Sequence, residues 1–215
     1  MPRFVYILLA KTPNNSIVME QLTKAIKQMI DISDTELNNF LNQCIIKTFK
    51  RYEVVSRPNI VPNEIFFINK GLIRVIVTDN DGTEHTLHFA LENQFIADYS
   101  AFMLKHPSLY TLQTEEETEV VILSRSVIDW GYKNIKQGDK LGRLIAEFYF
   151  IYHDNRIKNM YARTPKERYD IITEVFPNIH NRVPQHMIAS YLGITPVHLS
   201  RLKKGGAIKT TNDRT

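Results

Sequence analysis

The stretch QHMIASYLGITPVHLSRLKK, residues 185–204 of a 215-residue chain, reads as two short helices meeting at a glycine. Ile188 and Leu192 stand four apart and share one face of the first helix. Ala189 beside them is small enough for a second helix to cross closely. Gly193 follows the last periodic residue, where a helix that stops and turns sharply needs a residue free to take positive φ. Ile194 plugs the corner, Thr195 caps the next helix, and Pro196 suits a first turn whose N–H has no partner in any case. Leu199 and Leu202 point back at Ile188 and Leu192. That leaves Pro196, Val197, His198, Ser200, Arg201, Lys203 and Lys204 on exposed or flanking faces. This is the helix-turn-helix plan, with its second helix presented to a DNA major groove. The plainer alternative is a helical hairpin that merely packs.

Just upstream, Thr164-Pro165-Lys166-Glu167 forms a capping box with proline at the first helical position. It opens a helix carrying Tyr169, Ile172 and Phe176, which Pro177 ends. Before it, residues 139–160 read as one helix, about 33 Å long at 1.5 Å per residue. Leu141, Leu144, Phe148 and Ile151 follow 3-4-3 spacing, Asn155 continues the seam, and Ile145 and Tyr152 widen it. Such a helix either pairs with its twin in a coiled coil, where Asn155 would fix the register, or packs on the rest of its own chain.

Further out, residues 44–125 carry short β-rich runs with turn signals about every 8–12 residues, the texture of an antiparallel sandwich or barrel. EIFFIN (64–69) stops at Lys70-Gly71. LIRVIVT (72–78) and TEHTLHFA (83–90) flank Asp79-Asn80-Asp81-Gly82, a hairpin turn. Residues 110–114 and 119–123 supply two more strands, and Glu115-Glu116-Glu117 between them reads as a solvated turn. Residues 95–106 break the pattern and hold a short helix, and 126–132 turn helical again. Residues 20–44 are helical: Leu22, Ile26, Met29 and Ile30 recur at helical spacing, and Ser33 or Asp34 caps a second helix with Leu37, Phe40 and Leu41.

The composition excludes several classes. A single cysteine, Cys44, allows neither an intramolecular disulfide nor a cysteine-ligated metal cluster within one chain, and it fits a reducing cytoplasm. No run approaches the roughly 18 apolar residues of a membrane span, so no membrane partner is expected. Phe4 to Ala10 only faintly resembles a signal peptide, and residues 1–18 read as an upstream extension before a more typical start at Met19. His85 and His88 stand three apart in a strand and face opposite sides, so they do not chelate together. No catalytic constellation, metal site or cofactor motif occurs, and an enzyme is not expected. Residues 1–155 carry 16 Lys and Arg against 19 Asp and Glu, a net of −3, whereas residues 156–215 carry 11 against 4, a net of +7. A basic segment coinciding with the helix-turn-helix is the footprint of phosphate binding. The glycine-rich tail, 205–215, has little to bury and reads as loose.

This domain order resembles the Crp/Fnr family of bacterial transcription regulators over roughly residues 30–204. EIFFINKGLIRVIVTDNDGTEHTLHF (64–89), TPKERYDIITEVFP (164–177) and VPQHMIASYLGITPVHLSRLKK (183–204) carry the resemblance, the last two especially to the Bacteroidetes branch. It implies an α+β chain: an N-terminal antiparallel, cyclic-nucleotide-binding-like β-roll, a long connecting dimerisation helix and a C-terminal winged-helix-type helix-turn-helix. The boundaries would be 1–138, 139–160 and 161–215. It also implies a homodimer through Leu141, Leu144, Phe148, Ile151 and Asn155. Double-stranded operator DNA is the implied partner and RNA polymerase a further one, with a small-molecule effector of unknown identity.

The family's phosphate-binding cassette carries Gly-Glu-Leu, then Arg-Ser or Arg-Thr; the Glu takes a ribose hydroxyl and the Arg the cyclic phosphate. Here the corresponding residues run Phe95-Ile96-Ala97-Asp98-Tyr99-Ser100, then Pro107-Ser108-Leu109-Tyr110. Phe95, Asp98, Tyr99, Ser108 and Leu109 are the effector-pocket candidates, with Asp98 in the place of the Glu. No Arg occurs between Arg74 and Arg125, and only Lys105 or His106 is placed to replace it. A buried phosphate without its bidentate partner is an unpaired charge, so ordinary cyclic AMP binding is not expected. In the recognition helix, Arg201 matches the family position that reads a guanine edge. Val197 offers an apolar contact to a thymine methyl. His198, Ser200, Lys203 and Lys204 suit phosphate contacts, and Thr195 offers phosphate its backbone N–H. The expected function is a sequence-specific DNA-binding regulator, the alternative a ligand-sensing or scaffold module that no longer reads DNA.

Overall fold

Strands β3 (Glu64–Lys70) and β4 (Ile73–Thr78) are buried on both faces over four consecutive residues each, mostly apolar, with Asn69 and Arg74 the polar exceptions. The computed structural model describes residues 15–209, with side chains from 19 to 204. Most of the expected N-terminal extension, and the last six residues of the tail, lie outside the described residues. Two four-stranded antiparallel sheets stack face to face. The first has the order β1 (Ile45–Phe49), β8 (Thr118–Ser124), β3, β6 (Phe95–Ile96). The second has the order β2 (Val54–Ser56), β7 (Tyr110–Thr114), β4, β5 (Glu84–Ala90). Phe66, Ile68, Ile73, Val75, Leu112, Val120 and Ile122 fill the space between them. The hairpin turn forms as its residues dictate: Asp79 Oδ1 accepts the N–H groups of Asp81 and Thr83.

The outer faces carry the helices. Phe67, Phe95, Val121 and Leu123 alternate out of the first sheet and are covered by α1 (Asn15–Met29), α2 (Asp34–Leu41), α4 (Arg125–Asn134) and the start of α5 (Gly138–Ala162). Ser33 caps α2, its side chain accepting the Glu36 N–H while Glu36 reaches back. A short α3 (Tyr99–Leu104) interrupts the strands. Leu72, Phe89 and Leu91 leave the second sheet on its other side. They pack under the C-terminal helices α6 (Pro165–Asp170), α7 (Ile172–Val175), α8 (Ile179–Arg182), α9 (Gln185–Leu192) and α10 (Pro196–Lys209). The chain is thus four layers deep, with a sheet pair between two sets of helices.

Four expectations change. The helix opened by the Thr164 box breaks at Ile171 into α6 and α7. Among the described residues no strand follows Ser124, so the wing strands of a winged helix are not found; α7 and α8 occupy 172–182 instead. The backbone of α10 runs on to Lys209, past the two glycines expected to loosen it, since an established helix adds a hydrogen bond with each residue. The expected seam of α5 also splits. Leu141 is buried and Leu144 half-buried in their own chain's core beneath α1, while Phe148 and Ile151 are exposed and Asn155 half-buried. The exposed apolar residues of α5 are Phe148, Phe150, Ile151, Ile157 and Tyr161, while Tyr149 and Tyr152 on its other side still reach Phe95 and His88 of the sheets.

Candidate functional site

The two C-terminal helices meet as their residues require. Gly193 closes α9 at φ 66°, ψ 37°, its N–H returning to Ala189 and Ser190 carbonyls. A Cβ there would also meet the Met160 methyl at 2.6 Å, which that flexible side chain can yield, so it is the positive φ that calls for glycine. Thr195 Oγ1 accepts the His198 N–H at 3.2 Å and starts α10. Leu199 is buried against Ile188 and Leu192, and Leu202 is half-buried. Met187 and Tyr191 are buried too, because α9 is sandwiched between α10 and β5. Thr195, Val197, His198, Ser200, Arg201 and Lys204 are exposed together along one helix; Lys203 is half-buried beside His180, whose pKa is lowered by burial and then by Lys203. No acidic residue occurs between Glu174 and Asp213, so this face is uniformly basic.

The C-terminal helices are held to the second sheet by polar groups that the sequence did not single out. The Arg182 guanidinium grips Glu92 at 2.7 and 3.0 Å and Glu116 at 2.6 and 3.3 Å. Thr86 donates its N–H to Ser190 Oγ at 2.8 Å. His88 Nδ1 meets the Tyr152 hydroxyl at 2.7 Å, and that hydroxyl meets Tyr191's at 3.2 Å. Burial, then the nearby His153 and Arg156, pushes His88 down to about 3. The expected solvated turn at Glu115-Glu116-Glu117 is corrected: Glu116 binds Arg182, and Glu115 is fully buried. Burial pushes the Glu115 carboxyl up to about 7 against the pull of Arg74 and Arg51. Three acidic residues in a row look solvated, and of these only Glu117 is exposed.

The effector-pocket candidates do not converge. Asp98 is buried, accepting the Ala101 N–H at 3.1 Å and the hydroxyls of Ser100 at 3.0 Å and Ser108 at 2.8 Å. Its carboxylate is therefore committed to its own loop, as the N-cap of α3, rather than aimed at a ribose. Ser108 is its buried partner. Leu109 stands out in solvent, as do Lys105 and His106. Phe95 lies edge-on to Phe67, and Phe95 and Tyr99 belong to a different space, under the helices on the outer face of the first sheet. The flanking arginines are occupied as well. Arg74 binds Thr86 and Glu84 at 2.8 and 2.9 Å, while Arg125 stacks on Phe102 at 3.9 Å and donates to the Phe102 carbonyl.

Comparison with known proteins matches residues 46–133 to the family described as cyclic nucleotide-binding domain. No curated protein matches. Among solved structures, the c-di-GMP-responsive global regulator CLP of Xanthomonas campestris is similar at 13% identity and TM-score 0.64, over 83% of this chain and 93% of its own. FixK2 of Bradyrhizobium japonicum is similar at 14% identity and TM-score 0.65, over 78% and 86%. A protein of Eubacterium rectale described as a transcriptional regulator of the Crp/Fnr family is similar at 13% identity and TM-score 0.63, over 83% and 85%. These likenesses show a shared fold: a cyclic-nucleotide-binding-type β-roll with helices. Among the described residues no helix is long and apolar enough to cross a membrane.

Proposed function

We propose that this chain is a sequence-specific DNA-binding transcription regulator of the Crp/Fnr type. The exposed basic face of α10, held by the Gly193 turn on a buried α9, carries this reading. Arg201 is the base-reading residue, its planar fork matched to two guanine acceptors, and Val197 meets a thymine methyl. His198, Ser200, Lys204 and, more weakly because it is half-buried, Lys203 contact phosphate. The protein acts as a homodimer, pairing through the outward face of α5, where Phe150 is 72% and Tyr161 89% exposed in the single chain. Two recognition helices then enter successive major grooves about 34 Å apart on a near-palindromic operator. RNA polymerase is the further partner in activating or blocking transcription. The inward-turned Asp98 and the occupied Arg74 and Arg125 support a regulator that does not take cyclic AMP in the ordinary way.

Selection of bound sequences from a random duplex pool tests this. A recovered palindrome is expected, and Arg201→Ala should lose about 1–3 kcal/mol on it and relax preference at one base position per half-site. The scaffold alternative predicts only loose binding, indifferent to sequence and abolished by moderate salt.

A further inference from the structure

A cavity of about 70 Å³ lies between the outer face of the first sheet and the helices that cover it. Phe95 forms part of its floor, Phe40 of α2 one side, and Leu141 and Ile145 of α5 another. Among its lining side chains only Tyr99 and Tyr132 end in a polar atom. We infer that this cavity binds a small neutral aromatic molecule bearing one hydrogen-bonding group, of the phenol class. No charged side chain lines it, so an ionised ligand would be buried without a partner. Phenylalanine and tyrosine rings supply edges and faces for a planar ring, and the tyrosine hydroxyls supply one donor-acceptor point. The Tyr132 hydroxyl lies beside that of Tyr99 at this wall; burial raises its pKa first, and Tyr99's neighbouring hydroxyl raises it further. At about 70 Å³ the space is under half of the roughly 150 Å³ that holds benzene in an engineered apolar cavity, so a single ring enters only as the walls move apart, and a nucleotide is excluded by size.

The position matters as much as the lining. An occupant touches the sheet through Phe95 and α5 through Leu141 and Ile145, at the end of α5 opposite the C-terminal helices. Phe95 is further tied to α5 by the Tyr149 hydroxyl, which donates to its carbonyl. Filling the space shifts α5 against the sheet that carries it. That consequence rests on the proposed regulatory function; the binding itself does not.

Calorimetric titration of the full-length protein with p-cresol, toluene, benzoate and cyclic AMP tests the site without DNA. Saturable p-cresol binding is expected, with toluene roughly tenfold weaker for want of the hydroxyl, and no heat from benzoate or cyclic AMP. Tyr132→Phe should bring p-cresol down to the toluene level while leaving toluene unchanged. Ile145→Phe and Leu141→Phe should abolish both. Circular dichroism checks that each variant folds, and Tyr132→Phe carries the test should the filling variants fail to. No saturable heat from millimolar p-cresol overturns the inference. So does benzoate binding as well as p-cresol, or p-cresol affinity untouched in folded filling variants. Operator binding, measured separately, fails or succeeds independently of these outcomes.

Discussion

Replacing Arg182 with alanine should loosen the C-terminal helices from the second sheet. Four N–H···O contacts between 2.6 and 3.3 Å join its guanidinium to Glu92 and Glu116. Breaking a fully buried ion pair costs about 3–5 kcal/mol, whereas an exposed one is worth under about 1 kcal/mol. Arg182 is 17% exposed and its partners 27% and 35%, so solvent screens the set without removing it. The expected loss is about 2 kcal/mol, which includes the repulsion of two carboxylates left facing each other. For a chain of this size that lowers Tm by about 4–8 °C. Arg182→Lys keeps the charge but loses the fork and should recover about half. Thermal unfolding by circular dichroism measures both, and the same substitution on a Glu92→Gln, Glu116→Gln background isolates the pairing. A Tm within about 1 °C of wild type for Arg182→Ala, or an equal drop on both backgrounds, refutes the reasoning.

Gly193→Ala should cost about 1–2 kcal/mol, since alanine must hold φ 66° and displace the Met160 methyl; chemical denaturation gives the number. Glu115 and His88 should act on stability with opposite signs. Glu115's ordinary value of 4.5 rises to about 7 on folding, so its contribution is complete below pH 4.5 and lost as pH climbs to 7. His88 falls from 6.5 to about 3, so its contribution is present above pH 6.5 and lost as pH drops toward 3. Glu115→Gln should therefore stabilise the protein by about 3 kcal/mol at pH 8 relative to its effect at pH 4; parallel wild-type and variant curves across that range would sink the assignment. Tyr161→Glu with Phe150→Glu should yield monomers by sedimentation if the outward face of α5 is the dimer seam, whereas Leu141→Glu should unfold the β-roll instead.

Local chemistry was legible in the sequence wherever it closes within a few residues. The Ser33 and Thr164 boxes each join residues three apart, the Asp79 turn spans four, and Gly193 needs only its own φ. Strand identity at 64–69 and 72–78, the α9–α10 crossing and the basic exposed face of α10 follow from the same short-range rules. Tertiary structure decided which faces are covered. Glu115 looks solvated until Arg51, 64 positions back, and Arg74 come up beside it. Asp98 looks free until Ser108, ten residues on, donates to it. The stripe on α5 looks uniform until α1 covers its first half. The deciding contacts are distant: Arg182 reaches Glu116 across 66 positions and Glu92 across 90, and Thr86 reaches Ser190 across 104. A side chain's type sets what it can bond, but its burial and its pKa depend on what the fold brings against it, and no periodicity encodes a partner that far away.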